Sequence, residues 1–293
     1  GVGKSTISAG LAQAMRRAGA RVGVLDADMH GPSLPVLLGG MPDCEPELVE
    51  NGRQLVPWIS HEGIVCQSFA YVARLWRRRL GDDGSVVLRG PLIAELATSM
   101  ANHTRWGHLD ALVIDLPPGT GEVPLALASS IPMDSAVVVS TPHPLALSDV
   151  VKGIEMLEKL GVAVRAVVHN MATFTCGACN AEHRPFGPSA EVVLRARLPS
   201  ALLVDLPIAT PATPGDGGGS GVDSGAIEPC LMLAPRFDEL AAALLADGAA
   251  LPSSESSSMP TPPARMHTLP APTDFYSVPH WPTLMATAKL ELK

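Results

Sequence analysis

The chain has 293 residues, 46% of them apolar and only 17% charged, which is enough apolar material for one large α/β domain or two small ones. With 21 Lys and Arg against 29 Asp and Glu the net charge is −8, which argues against a nucleic-acid surface made of clustered basic residues. No apolar run reaches about 18 residues, so no membrane-spanning helix is expected, and the five scattered cysteines do not form a secreted disulfide framework. They point to a reducing, intracellular compartment. Twenty-seven Gly and 28 Pro predict loops and at least one unstructured segment. No targeting signal is visible, and the first residues already lie inside a motif. The N-terminal side is therefore expected to be incomplete, with the compartment left open between cytoplasm, mitochondrion and plastid.

The first expected element is a helix over residues 5–18, with Ile7, Leu11, Met15 and Ala18 on one face and Gly19 just past its end. A short apolar strand, Arg21 to Leu25, ends in Asp26-Ala27-Asp28. In the looser region that follows, Val86-Val87-Leu88 reads as a strand and Ile93 to Met100 as a helix. Ala111 to Ile114 is a buried strand that stops at Asp115 and runs into Pro117-Pro118-Gly119. Ala136 to Val139 is the next strand. Leu147, Val150, Val151, Ile154, Leu157 and Leu160 form a helical stripe ended by Gly161. Val162 to Val168 is a strand that stops at Asn170. From about Pro211 the character changes: residues 214–221 read PGDGGGSG, and Arg236 to Ala246 predicts a last helix. Residues 251–263 are rich in Ser and Pro, and residues 249–293 lack any helical or strand period. Strands that are apolar throughout and alternate with helices predict an α/β fold, a mostly parallel sheet covered on both faces. The expected division is a domain over 1–247, with its first strand truncated, and a disordered or weakly docked tail over 248–293.

Gly1-Val2-Gly3-Lys4-Ser5-Thr6 is the second half of the pattern G-x-x-x-x-G-K-S/T, directly before a helix. Glycines let backbone N–H groups close around phosphate oxygens, Lys4 reaches the outer phosphates, and the Ser5 hydroxyl suits Mg²⁺. The helix N-terminus adds its positive dipole end. Asp115, at the end of an apolar strand, is where a nucleotide hydrolase holds Mg²⁺ and its waters. Asp26 and Asp28 end another strand, and one of them can orient an attacking water. Asn170 lies at a strand end on the edge where α/β sheets bind ligands.

Cys176-Gly177-Ala178-Cys179 follows a strand and Asn170-Met171. Two thiolates at this spacing can share a metal centre. A 4Fe–4S cluster takes four cysteines, which a two-fold dimer would supply. The spacing alone leaves three other readings open: a zinc site with His183, a redox disulfide, or a structural turn. Cys44, Cys66 and Cys230 are isolated, and Trp76-Arg77-Arg78-Arg79 reads as a solvated helix face.

GVGKST, VGVLDADMHGPSLPVLLG, LRGP, LDALVIDLPPGTGEVPLAL, VVVSTPHPLALSDVVKGIEML, VVHNM and FTCGACNAEHRPFG stand in that order. In this the chain resembles the Mrp/ApbC P-loop ATPases, relatives of the ParA/MinD proteins, from residue 1 to about 247. LLVDLPIATPATPGDGGGSG also looks like the family's chloroplast branch, which usually lacks this C-x-x-C. His169 stands where relatives usually carry Glu.

The resemblance implies a homodimer, or related heterodimer, that binds ATP with Mg²⁺ and carries a 4Fe–4S cluster at its interface for transfer to apo-proteins. Gly1, Val2, Gly3, Lys4, Ser5, Thr6 and Asn170 would hold the nucleotide, with Asn170 on the adenine. Ser5, Asp26 and Asp115 would serve Mg²⁺. Lys4, Asp28 and Asp115 would carry a slow hydrolysis that works as a switch, and Cys176 and Cys179 would bind the cluster. The competing expectations are a ParA/MinD-like positioning ATPase, which the acidic charge and Pro-rich tail disfavour, and an inactive truncated fragment.

Overall fold

The computed structural model describes residues 1–29, 31–49, 54–80, 90–187, 191–208, 230–246 and 284–289. The opening loop leads into α1 (Lys4–Arg17) and β1 (Val22–Asp26). Then come α2 (Leu34–Leu37) and four short strands, β2 (Leu48–Val49), β3 (Gln54–Leu55), β4 (Trp58–Ile59) and β5 (Val65–Ser68). Helices α3 (Phe69–Leu80) and α4 (Gly90–His103) precede β6 (Ala111–Pro118), α5 (Glu122–Ser130), β7 (Ser135–Ser140) and α6 (Pro144–Lys159). The last part holds β8 (Ala163–Thr175), β9 (Glu182–His183), α7 (Glu191–Arg197), β10 (Leu202–Pro207), α8 (Cys230–Ala246) and β11 (Leu284–Lys289).

The main sheet runs β10-β8-β7-β11-β6-β1-β5-β4. Its pairings are parallel except for β4 with β5, and for β9, which pairs back on β8 as a hairpin. Alternate residues of each inner strand serve opposite layers, as the period of two requires. Val22 and Val24, Ala111 and Val113, and Val137 and Val139 join α1 and α8 on one side. Leu25, Leu112 and Ile114, and Ala136 and Val138 pack under α4, α5 and α6 on the other. Gly10 permits the close approach of α1 to α8, since a Cβ there would lie 2.6 Å from the Phe237 ring. The parallel sheet with helices on both faces is the architecture the alternation of apolar strands implied.

The differences are local. β8 does not stop at Asn170 but continues to Thr175, because β9 supplies a second ladder beyond it. α8 begins at Cys230 and carries Pro235 inside it. β10 and the α5 helix have no counterpart in the sequence reading. The strand expected at 86–88 and the loop at 214–221 lie outside the described residues, as do the side chains of Trp76 to Arg79 within α3.

The largest difference is in the tail. Leu284–Lys289, in a stretch expected to be without structure, lies in the middle of the sheet between β6 and β7. Ala286 is opposite Ile114 on one side and Ala136 on the other. A six-residue segment with a ladder on each edge draws its stability from backbone pairing, which no local periodicity records. The rest of 247–293 lies outside the described residues.

Candidate functional site

The phosphate loop sits above the C-terminal ends of the central strands, where parallel α/β sheets bind ligands. Gly3 caps α1 at φ 83°, a left-handed conformation that favours glycine. It also has no room for a side chain: a Cβ would collide with the Asn170 amide nitrogen. That amide donates a 2.9 Å hydrogen bond to the Val2 carbonyl. Asn170 is therefore brought to the phosphate loop, and its partner here is the loop backbone.

Beneath the loop is a buried charge cluster. Asp26 and Asp115 stand opposite each other in the parallel register of β1 and β6, so both project from the same face. The Lys4 ammonium donates to Asp115 Oδ1 at 2.7 Å, with both side chains almost fully buried. Ser8, one turn along α1 from Lys4, donates to the same oxygen at 3.1 Å. Asp26 accepts from the backbone N–H groups of Asp28 and Leu34 and from the Ser68 hydroxyl.

Burial pushes the Asp115 carboxyl up, against the Lys4 ammonium and the Ser5 and Ser8 hydroxyls, which favour its charged form. Burial, followed by repulsion from Asp115, pushes Asp26 up to about 7. Asp115 Oδ2 is buried with no hydrogen-bond partner among the described residues. An orphaned carboxylate oxygen beside a second acidic group and a serine on the first turn of a helix is a donor set that fits a hydrated Mg²⁺. The Gly3 cradle and the α1 N-terminus fit a phosphate.

The raised pKa of Asp26 gives a signed expectation. The folded protein holds the Asp26 proton more tightly than the unfolded chain does. The resulting stability is complete below the ordinary carboxylate pKa of about 3.9 and is lost as pH rises through about 7. Asp26→Asn escapes this loss. Its urea midpoint should rise relative to the parent's between about pH 5 and about pH 7.5, on top of any constant offset from its altered hydrogen bonds. A gap that does not change with pH contradicts the assignment.

The remaining expected nucleotide residues surround this cluster. Gly1 is exposed, Val2 is buried, and Ser5 and Thr6 begin α1 half-buried. Asp28 is half-buried two residues past the end of β1. Ser8, Ser68 and Asp205 were not singled out from sequence. Only Ser8 carried a signal, its four-residue spacing from Lys4 on a helix.

The cysteine pair occupies the turn of the β8–β9 hairpin. Phe174 is opposite His183 and Thr175 opposite Glu182. Cys176 N–H donates to the Ala181 carbonyl, and Asn180 N–H, at φ 55°, donates back to the Cys176 carbonyl. Cys176 is half-buried, Cys179 is exposed, and both thiols are free. Backbone N–H groups of Ala178 and Cys179, and then the Cys179 thiol, lower the Cys176 pKa. This favours the thiolate, the form that binds metal. No group of three His, Cys, Asp or Glu side chains able to hold a metal occurs among the described residues, so His183 does not complete a zinc site with the pair. Cys44 is exposed beside the Tyr71 hydroxyl, and Cys66 is buried, its thiol pushed up to about 12 by desolvation. No helix among the described residues is long and apolar enough to cross a membrane.

Comparison with known proteins gives the chain's family. The family described as ParA, the NUBPL iron-transfer P-loop NTPases, matches residues 1–229. An iron–sulfur cluster carrier protein of Haemophilus influenzae is 38% identical over 208 residues, 71% of this chain and 54% of that protein. One of Pseudomonas fragi is 39% identical over 71% of this chain and 70% of its own length. The chloroplastic Fe–S cluster assembly factor HCF101 of Arabidopsis thaliana is 38% identical over 82% of this chain and 42% of that protein. The chain thus spans about half the length of several curated relatives it matches. Among solved structures, a nucleotide-binding protein of Archaeoglobus fulgidus in complex with ADP superimposes with a TM-score of 0.60 at 30% identity, over 81% of this chain and 82% of that one.

Proposed function

The chain belongs to the ParA-type NUBPL iron-transfer P-loop NTPases, and on that premise we propose that it is an ATP-binding, slowly ATP-hydrolysing carrier of 4Fe–4S clusters. The observation that carries this reading lies along one strand: Asn170 of β8 touches the phosphate loop, and the same strand ends at Thr175, directly before Cys176. Gly1, Val2, Gly3, Ser5 and Thr6 would enclose the phosphates. Lys4 would turn from Asp115 to the outer phosphate oxygens, and Asn170 would border the base. Mg²⁺ supplies charge neutralisation between the phosphates. Ser5 and Asp115 would hold it, with Asp26 behind them holding its waters, and Asp28 would orient the attacking water. Slow turnover suits a nucleotide that acts as a switch.

The cluster is the cargo. Each chain offers two thiols in this hairpin and the cluster takes four, so the reading requires a homodimer or related heterodimer with the hairpins facing each other. Apo iron–sulfur proteins are the acceptors. A reducing compartment, cytoplasmic or organellar, keeps both thiols free.

Anaerobic reconstitution tests this. The wild type should take up one 4Fe–4S cluster per dimer, with a broad brown absorbance that air bleaches. Cys176→Ala and Cys179→Ala should lose both colour and iron while keeping nucleotide affinity. Stoichiometric zinc without iron in the wild type, or iron retained in either variant, overturns the carrier reading.

A further inference from the structure

Strand β8 carries a defect at the point where it passes the phosphate loop. Against β10, His169 is opposite Asp205, but the next partner pair is Thr173 with Pro207. Three residues of β8, Asn170-Met171-Ala172, therefore face one of β10, Leu206, an excess of two. Met171 sits at φ 59°. Among the described residues only Asn180 shares this left-handed conformation without being glycine, and Asn tolerates it where Met does not. A strained residue of this kind persists only when its surroundings hold it.

The surroundings are specific on both flanks. On the loop side, the Asn170 amide holds the Val2 carbonyl, and the Met171 side chain ends within 3.9 Å of the space over Gly3. On the sheet side, one carboxylate spans the bulge. Asp205 Oδ1 meets buried His169 Nδ1 at 3.0 Å, before the bulge. Asp205 Oδ2 faces Arg184 at 3.8 Å, just past β9 on the return arm of the cysteine hairpin. Arg184 also reaches Glu182 within that arm at 3.8 Å. The Ile208 N–H donates to the Thr173 carbonyl at 2.7 Å and fixes the strand beyond the bulge. Met171 to Thr175 are the last five residues of β8, and Cys176 follows directly.

We infer that the Asn170–Met171 bulge is a mechanical link that passes occupancy of the phosphate loop to the Cys176–Cys179 hairpin, with Asp205 as the positioning residue that fastens the hairpin to the sheet across it. Phosphate entering the loop draws on the Val2–Gly3 backbone that Asn170 holds. A shift of Asn170 changes the restraint that keeps Met171 left-handed, and the hairpin pivots beyond it. Linkage makes the effect reciprocal: whatever orders the hairpin alters nucleotide affinity by the same factor. The inference rests on the nucleotide half of the proposed function and requires no cluster.

The test uses the full chain without iron. Labelling of Cys176 and Cys179 by N-ethylmaleimide is followed by peptide mass spectrometry, without nucleotide and with Mg·ADP at a concentration that calorimetry shows to be saturating. In the wild type the nucleotide should change the labelling rate by about fivefold, the size that strain at one left-handed residue allows. Exposed Cys44, outside this network, should keep its rate. Met171→Gly accepts the left-handed backbone without strain, and Asp205→Ala releases the hairpin. Both should still bind Mg·ADP and lose most of the nucleotide-dependent change. A purely structural role would shift the rates with and without nucleotide equally, leaving their ratio intact. Nucleotide binding with an unchanged labelling rate in the wild type, or a full response in both variants, overturns the link and leaves the carrier reading standing. An intact response in a protein that takes up no cluster sinks the carrier reading alone.

Discussion

Lys4→Ala should lower Mg·ATP affinity by at least about 100-fold, the loss expected when hydrogen bonds of about 1.5–3 kcal/mol each from one cation to phosphate are removed. Lys4 is the cation that the visible loop supplies. Its ammonium lies on Asp115 at 2.7 Å, so nucleotide binding would exchange one anionic partner for another. The same variant has a second consequence. It strips Asp115 of its cation and leaves a buried carboxylate next to Asp26, a situation that typically costs about 3–5 kcal/mol when one partner of a buried pair is lost. Asp115→Asn in the Lys4→Ala background should recover much of that stability and none of the affinity. Calorimetry on variants shown to be folded separates the two effects. Unchanged affinity in a folded Lys4→Ala protein removes the site assignment.

The parts of this site that could be read from sequence are those where backbone chemistry dictates residue type. A loop that must present N–H groups needs glycine at Gly3, and a strand buried on both faces is apolar until it reaches a functional end, as at Asp26 and Asp115. Partners contributed by distant strands left no such trace. Ser68 reaches Asp26 because β5 lies beside β1 in register, and Asp205 reaches His169 because β10 lies beside β8. Neither residue belongs to a local pattern. Asn170 was legible as a polar residue closing an apolar run, although β8 continues past it to Thr175, and its partner was not legible, since the amide spans 168 positions to the Val2 carbonyl.

The cysteine hairpin shows the same division. The C-x-x-C spacing was compatible with a metal, redox or structural turn without choosing between them. In the turn itself, with Cys176 N–H bonded to the Ala181 carbonyl and Asn180 left-handed, Cys176 is half-buried and Cys179 exposed, and no third ligand joins them among the described residues. Under the proposed carrier reading, a 4Fe–4S cluster on this turn would have to be completed from outside the chain, and its fourfold ligand count would call for a second copy. Because β8 links this turn to the phosphate loop, a dimer that closes over nucleotide would also bring two hairpins into one restraint.

Ala286→Pro should abolish cooperative unfolding, or drive the chain into the insoluble fraction, although it lies in the segment with the least regular sequence. Ala286 is paired with Ile114 on one side and Ala136 on the other, so it belongs to a strand with no free edge. Proline removes the N–H that a central strand needs and places its ring against the neighbouring backbone, which confines it to edges and bulges. The loss extends beyond one bond. β6 carries Asp115 and β7 leads to β8, and neighbouring strands lie about 4.8 Å apart, so without β11 they would face each other across a gap of about twice that spacing. The two halves of the sheet would then share little backbone pairing. Ala286→Ser, which keeps the backbone N–H, is the matched control and should retain cooperative unfolding. If Ala286→Pro unfolds with the midpoint of the parent, residues 284–289 do not occupy the centre of the sheet, and the tail is the unstructured segment that its composition suggests.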